Sequence, residues 1–311
     1  MRVSSNTSYE AGLAAINRQQ SAQIKTFEQI NTGRRVLTPS ASPAAYVQAL
    51  DVSQADAVNS QYALNRQNAV GNLNMLEGTL SDITSLLQRA QELTISAGNG
   101  TLDDSGRNII ATELRNSFGE LLGLSNRKDV NGQYLFSGYQ GSAKPFEDTG
   151  TGVQYFGDEG LRMIQASSSR QLAVNESGRE VFERIPASSG GYQSMFKTVS
   201  DLADLLETPV TNAAGKAALA NGLNAAQVDL SSALDNVLRV QASVGTRLKE
   251  IDTLNDSGDD LSIQYKQQLS ELRDVDYAEA ISDLAQQRVY LEATQKAFLK
   301  VQSLSLFDYI R

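Results

Sequence analysis

Apolar positions recur along this chain at spacings of three and four over long stretches, the period of an amphipathic helix. The clearest run is Leu219, Leu223, Ala226, Leu230, Ala233, Val237, Val240, Val244, Arg247, Ile251 and Leu254. A second run, Leu73, Leu76, Leu80, Ile83, Leu87, Ala90 and Thr94, alternates in the same way. Both are heptad seams, and each is long enough to bury the other inside a helical rod. Gly98 to Gly100 ends the helix that carries the second seam. Asp103 to about Lys128 then predicts a return helix with Ile110, Leu114, Phe118 and Leu121 inward, forming an antiparallel hairpin. Its opening Asp103-Asp104 suits the positive end of the helix dipole.

The two ends of the chain are also helical in pattern, but their stripes are weaker. Thr7 with Glu10 fits a capping box, and Tyr9, Leu13, Ile16, Ile24, Phe27 and Ile30 follow, interrupted by Gln20. A loop runs from Asn31-Thr32-Gly33 through Pro39, and Ser42-Pro43 reads as the cap and first turn of the next helix. Near the other end Gly258 reads as a helix stop, with Asp256, Asp259 and Asp260 as capping acids. Asp276 with Glu279 begins a final helix, whose Ile281, Leu284, Leu291 and Phe298 alternate with Arg288, Gln295 and Gln302. Helices with such interrupted stripes bury little by themselves and gain stability from partners.

Between these blocks the period changes. All five prolines lie at or before position 209, and ten of the 23 glycines fall between Gly132 and Gly191. Asn131-Gly132 is a tight-turn pair, and Gln133 to Ser137 reads as a strand. Val153 to Phe156 and Leu161 to Ala166, either side of Gly157-Asp158-Glu159-Gly160, read as a hairpin, with Gln171 to Val174 as a further strand. Helix resumes near Gln193.

Composition narrows the function. The 311 residues include no cysteine, no histidine and no tryptophan. Disulfides, thiolate nucleophiles and Cys-rich zinc sites are therefore excluded, as are the commonest general base and the commonest transition-metal ligand. The formal charge is −9, but residues 1–50 carry five bases against two acids, a net of +3. From Asp256 onward ten acids face six bases, a net of −4. Opposite signs at the two ends suit pairing of terminal segments within or between chains. Overall acidity disfavours nucleic acid as a partner. No apolar run approaches the ~20 residues of a membrane helix, and the polar opening is no cleaved signal.

No motif carries chemistry. The acids around Gly258 lack the alternate ligands and closing glutamate of a calcium loop. Gly138, Gly141, Gly150 and Gly152 match no phosphate-binding or dinucleotide pattern. Asn175-Glu176-Ser177 and Asn255-Asp256-Ser257 are glycosylation sequons without a secretory signal. An adhesin reading would need Tyr134, Phe136, Tyr139, Tyr155 and Phe156 exposed on one face; as a group they are expected to fill the core of the insert.

Four segments resemble the flagellin family, and within it the branch found where hook meets filament. They are Met1-Arg2-Val3-Ser4 with Asn6; Ile30 to Ala45 with Thr32-Gly33, Pro39-Ser40 and Pro43-Ala44-Ala45; Asn131-Gly132-Gln133-Tyr134-Leu135-Phe136-Ser137-Gly138; and the run Leu304 to Ile310. One departure is Ala41-Ser42, where the family commonly has two acids. The resemblance implies a structural subunit of the extracellular flagellum, with hook-associated protein 1 and flagellin, or neighbouring copies of itself, as partners. It also implies export without a cleaved signal, and a cytoplasmic export chaperone at the C-terminal region. Flagellin itself is the alternative within the class.

The expected fold is mainly α: a long antiparallel coiled-coil rod with both termini at one end and a small β-rich inserted domain. Residues 1–45 and 257–311 are read as assembly segments, 46–130 and 193–256 as outgoing and returning rod helices, and 131–192 as the insert. No catalytic, cofactor or metal site is expected. The expected assembly interface comprises Leu13, Ile16, Ile24, Phe27, Ile30, Ile281, Leu284, Leu291, Phe298, Val301, Leu304, Leu306, Phe307, Tyr309 and Ile310.

Overall fold

A computed structural model of the chain describes residues 5–100 and 102–303. Six α-helices dominate: α1 (Ser5–Thr32), α2 (Pro43–Ala97), α3 (Asp104–Ser125), α4 (Met195–Glu207), α5 (Ala213–Arg273) and α6 (Tyr277–Ser303). Six short strands lie between α3 and α4: β1 (Phe146–Asp148), β2 (Val153–Tyr155), β3 (Met163–Gln165), β4 (Gln171–Ala173), β5 (Ile185–Pro186) and β6 (Tyr192–Gln193). The mainly helical fold with a small strand-bearing insert is therefore as the sequence predicts. The chain divides into two compact units, one from Gln61 to Gly258 and one formed by the residues on either side of it.

The inner unit, Gln61–Gly258, holds the core. Leu73, Leu76, Leu80, Ile83, Leu87 and Ala90 on α2 are fully buried, as are Leu230, Ala233, Val237, Val244 and Ile251 on α5. Gln91 donates to Ser231 and Arg66 to Asn255, so the two helices run antiparallel with their heptad seams inward. α3 adds Ile110, Leu114 and Leu121. Its predicted cap is present: the Asp103 carboxylate accepts from the Gly106 amide at 2.8 Å. α4 begins at Ser194, whose hydroxyl accepts from the Lys197 amide, and packs against α3 through Phe118 and Phe196. The insert is anchored where Phe136, Phe146, Phe182 and Phe196 meet, with ring centroids 5.1–5.6 Å apart. Rings at these separations add edge and stacking terms to the area they bury.

The strands pair as three separate two-stranded ladders, β1 with β2, β3 with β4 and β5 with β6. The expected hairpin across Gly157–Gly160 is thus absent. The Asp158 carboxylate accepts from the amides of Tyr139 and Gly160, and Tyr155 donates its hydroxyl to the carbonyls of Phe136 and Asp158. The turn is spent on fastening the 136–139 loop, leaving β2 to pair backward and β3 forward. Gln133 to Ser137 is no strand either. It makes only single bridges, Lys128 with Tyr134 and Ser137 with Ser177, because Asp129 accepts from the Asn131 and Gln133 amides and winds the backbone into turns.

Two further expectations fail, one because burial overrides a local signal and one because a helix begins earlier than expected. Gly258 does not stop a helix: α5 runs unbroken past it, and the residue is buried. A helical glycine costs roughly 0.5–1 kcal/mol, too little to end a helix of this length. Asp256, Asp259 and Asp260 are consequently exposed mid-helix residues and not caps. The Thr7–Glu10 capping box is also absent, since α1 is already helical at Ser5. Of the insert aromatics, Phe136 is buried and Tyr134 and Tyr155 are half-buried, whereas Tyr139 and Phe156 are exposed. Asn175, in one sequon, is fully buried.

Candidate assembly interface

The outer unit comprises α1, the first turns of α2, the last turns of α5, and α6. Within it α1 and α6 run antiparallel. Tyr9 meets Phe298 with ring centroids 5.5 Å apart. Further along, Gln287 donates to the Thr26 hydroxyl at 3.0 Å, and Gln19 to the Gln287 carbonyl at 3.4 Å. Beyond the end of α1, Gly33 turns at φ 68°, and its carbonyl accepts from the Val275 amide at 3.0 Å. The Tyr277 hydroxyl lies 3.0 Å from where a Cβ on Gly33 would stand, so another residue here would be strained by the torsion and would have to push that hydroxyl aside. The predicted cap of α6 is formed: the Asp276 carboxylate accepts from the amides of Ala278 and Glu279.

The seam between α1 and α6 is small and polar. It contains Gly12, Ile16, Gln19, Thr26 and Ile30 facing Ala280, Leu284, Gln287, Leu291, Thr294 and Phe298. The Gln287 Oε1 atom is buried there without a hydrogen-bond partner, which costs about 1–3 kcal/mol. Arg288 and Gln295, predicted to interrupt the stripe, are exposed, as is Gln20 on α1; the polar residues inside the seam are Gln287 and Thr294. α1 is turned so that Leu13, Ile24 and Phe27 of its apolar stripe face away from the contact, whereas on α6 Ile281 alone of the four stripe residues does so.

The expected interface residues therefore fall into two sets. Ile16, Ile30, Leu284, Leu291 and Phe298 are half-buried along the α1–α6 pairing. Leu13, Ile24, Phe27 and Ile281 are exposed at 44, 59, 52 and 57 %. Val301, Leu304, Leu306, Phe307, Tyr309 and Ile310 lie outside the described side chains. The sequence reading missed Val47, Leu50 and Val58, exposed on the first turns of α2. Their signal is the spacing of 3, 4 and 4 through Gln54. Leu299 on α6 is likewise exposed.

Against this stands what the outer unit buries. Among the described residues, its only buried apolar side chains are Ala49 and Ala280, whereas the whole large core cluster lies between Ala69 and Ile251. A buried Leu or Phe contributes about 1.5–3 kcal/mol; none is buried among the described residues of the outer unit. The loop 33–42 meets α2 and α5 at a notch of about 150 Å³, walled by Val36, Leu37, Ala49, Leu50 and Leu272, with Arg34 and Arg273 also lining it. Among the described residues no group of acids is placed to hold a metal ion, and no helix is long and apolar enough to cross a membrane.

Residues 3–141 match the family model for the bacterial flagellin N-terminal helical region. Flagellar hook-associated protein 3 of Salmonella typhimurium is 37 % identical over the whole of both chains. Flagellin of Bacillus subtilis is more distant, 26 % identical over 95 % of this chain and 94 % of its own. Among solved structures, the hook-associated protein 3 of Legionella pneumophila superposes with a TM-score of 0.68 at 23 % identity, covering 71 % of this chain and 98 % of that one. The full-length identity shows the family: the chain belongs to the flagellar hook-associated protein 3 family, structural components of the bacterial flagellum.

Proposed function

We propose that this protein is the adaptor layer at the junction of hook and filament, held in place by packing of its terminal helices. The observation that carries the reading is the outer unit's imbalance: Leu13, Ile24, Phe27 and Ile281 are exposed, while the only buried apolar side chains among its described residues are two alanines. Covering such side chains in an assembly recovers apolar burial that the single chain forgoes. The basic N-terminal and acidic C-terminal segments favour contacts between unlike ends of neighbouring copies. The partners on this reading are hook-associated protein 1 on one side and flagellin on the other. Export follows the flagellar type III route without a cleaved signal, with a cytoplasmic chaperone holding the C-terminal region beforehand. A chain without cysteine loses nothing by passing unfolded through a narrow channel.

The alternative, that the chain is a flagellin forming the filament itself, is weaker on the Tyr134–Gly138 and Phe307–Ile310 segments and on the lower identity to flagellin. Deleting the gene separates the two. A junction role predicts complete hooks and flagellin shed as monomer into the medium. Continued filament growth from deleted cells would refute it.

A further inference from the structure

The notch in the outer unit matches a segment of the chain that cannot reach it from the same molecule. We propose that the notch is a socket for residues Leu304–Ile310 of a second copy of this chain, an inference that rests on the assembly role above. Its size comes first. A cavity of about 150 Å³ holds one benzene-sized ring, and Phe307 and Tyr309 supply such rings. Its chemistry follows. The walls are mainly apolar, aliphatic side chains with the Tyr46 ring and a single hydroxyl at Ser53, and both charged residues that line the notch, Arg34 and Arg273, are cations. Leu304–Ile310 is apolar except for two serine-sized and acidic interruptions, and its single charge, Asp308, adjoins both rings.

Reach excludes the molecule's own tail. The notch lies at Leu272 and Arg273, just before α6 begins at Tyr277. From there α6 carries the chain away to Ser303, about 39 Å at 1.5 Å per residue. Extended at no more than about 3.6 Å per residue, Phe307 returns at most about 14 Å and Ile310 about 25 Å. A head-to-tail contact between copies satisfies both ends. Such a heterologous contact repeats from subunit to subunit, as a ring or helical layer requires.

The absence of cysteine makes the test direct. Leu50, at the mouth of the notch and 58 % exposed, is replaced in one preparation (L50C) and Ser305, which leaves both rings of the segment in place, in another (S305C). The two are combined at the hook tip of a deletion strain and treated with a short bismaleimide. The proposal expects a covalent dimer that appears only in the assembled material. A chain carrying both substitutions should give no internal cross-link when dilute and unassembled. In parallel, Leu50→Trp, which plugs the mouth from an exposed position, should lower junction formation at least tenfold. Phe307→Ala should do the same, and the double variant no worse, with unchanged helical melting. Junctions that form without the cross-link, an internal cross-link in the dilute monomer, or normal assembly of Leu50→Trp would each overturn the socket while leaving the adaptor role intact. Failure of the unaltered chain to restore junctions would overturn both.

Discussion

The ring of Phe298 occupies the space into which a Cβ on Gly12 would project. Gly12 is thus the hole in α1 that lets the end of α6 close onto it, and Tyr9 completes the contact from one turn earlier. In an open helix Gly12→Ala would stabilise by about 1 kcal/mol through propensity. Here the methyl must displace an aromatic ring. We expect Gly12→Ala to reduce hydrogen-exchange protection of α1 and α6 in the monomer, and Phe298→Leu to restore part of it. Increased protection in Gly12→Ala alone would show that the ring is not held over Gly12.

The imbalance of burial sets an order of melting. Leu80→Ala removes a fully buried side chain from the inner unit and should cost about 2–5 kcal/mol, read as a lowered denaturant midpoint. Leu13→Ala, at an exposed site, should leave the monomer's midpoint within about 0.5 kcal/mol of the parent. Limited proteolysis should trim the terminal helices before it cuts between Gln61 and Gly258. A monomer resistant from α1 to α6 would contradict this account.

Charge substitutions divide the terminal residues by role. Leu291 and Phe298 are half-buried against α1, so Leu291→Asp and Phe298→Asp should loosen the α1–α6 pair in the monomer as well as block assembly. Ile24→Asp and Phe27→Asp sit at exposed positions and should spare the monomer's exchange pattern while abolishing attachment to hooks. Equal loss of monomer structure in all four would remove the distinction between seam and outer stripe.

The parts of this fold that were legible in advance are those where a long period repeats one message. The Leu73–Thr94 seam came out buried, as did the Leu219–Leu254 seam except at its half-buried ends and Arg247, because each position is supported by many others. The terminal helices were placed correctly along the chain, but which of their residues meet was not legible. Their contact selects Gly12, Gln19 and Gln287, residues chosen by close approach and hydrogen bonding, to which a hydrophobic pattern is blind. Strand pairing in the insert was illegible because Gly157–Gly160 is a plausible hairpin turn locally. Its actual conformation depends on Tyr139 and Phe136, distant in sequence. Gly258 failed for a third reason: its missing side chain serves burial and not termination.

Arg66 ties the insert to the helices from a nearly buried position, 2 % exposed. Its guanidinium donates to the Ala166 carbonyl at 2.9 Å and to the Asn255 side chain at 2.6 Å. Arg66→Ala removes these charge-assisted bonds and leaves buried acceptors unpaired, for a loss of about 2–4 kcal/mol. Faster amide exchange in β3 and β4 should accompany it, and Arg66→Lys should recover only part, since an ammonium cannot reproduce the guanidinium fork. Unchanged exchange in that hairpin would show that Arg66 only fills space.

Arg170 fastens the same β3–β4 loop to α5 through a two-pronged contact with Glu250. The hydrogen bond from Arg170 holds the Glu250 carboxyl below the usual glutamate range. A carboxyl whose folded-state pKa is lowered contributes stability above its unfolded value and loses it as pH falls through the folded one. With Arg170 at 54 % and Glu250 at 31 % side-chain exposure, solvent screening holds that contribution below about 1 kcal/mol. Amide exchange in the loop between Ala166 and Arg170, corrected for its intrinsic pH dependence, should therefore quicken as pH drops below the ordinary glutamate range. Arg170→Ala should quicken it at neutral pH and flatten the pH profile. A variant that keeps the full pH response would place the titrating group elsewhere in the insert.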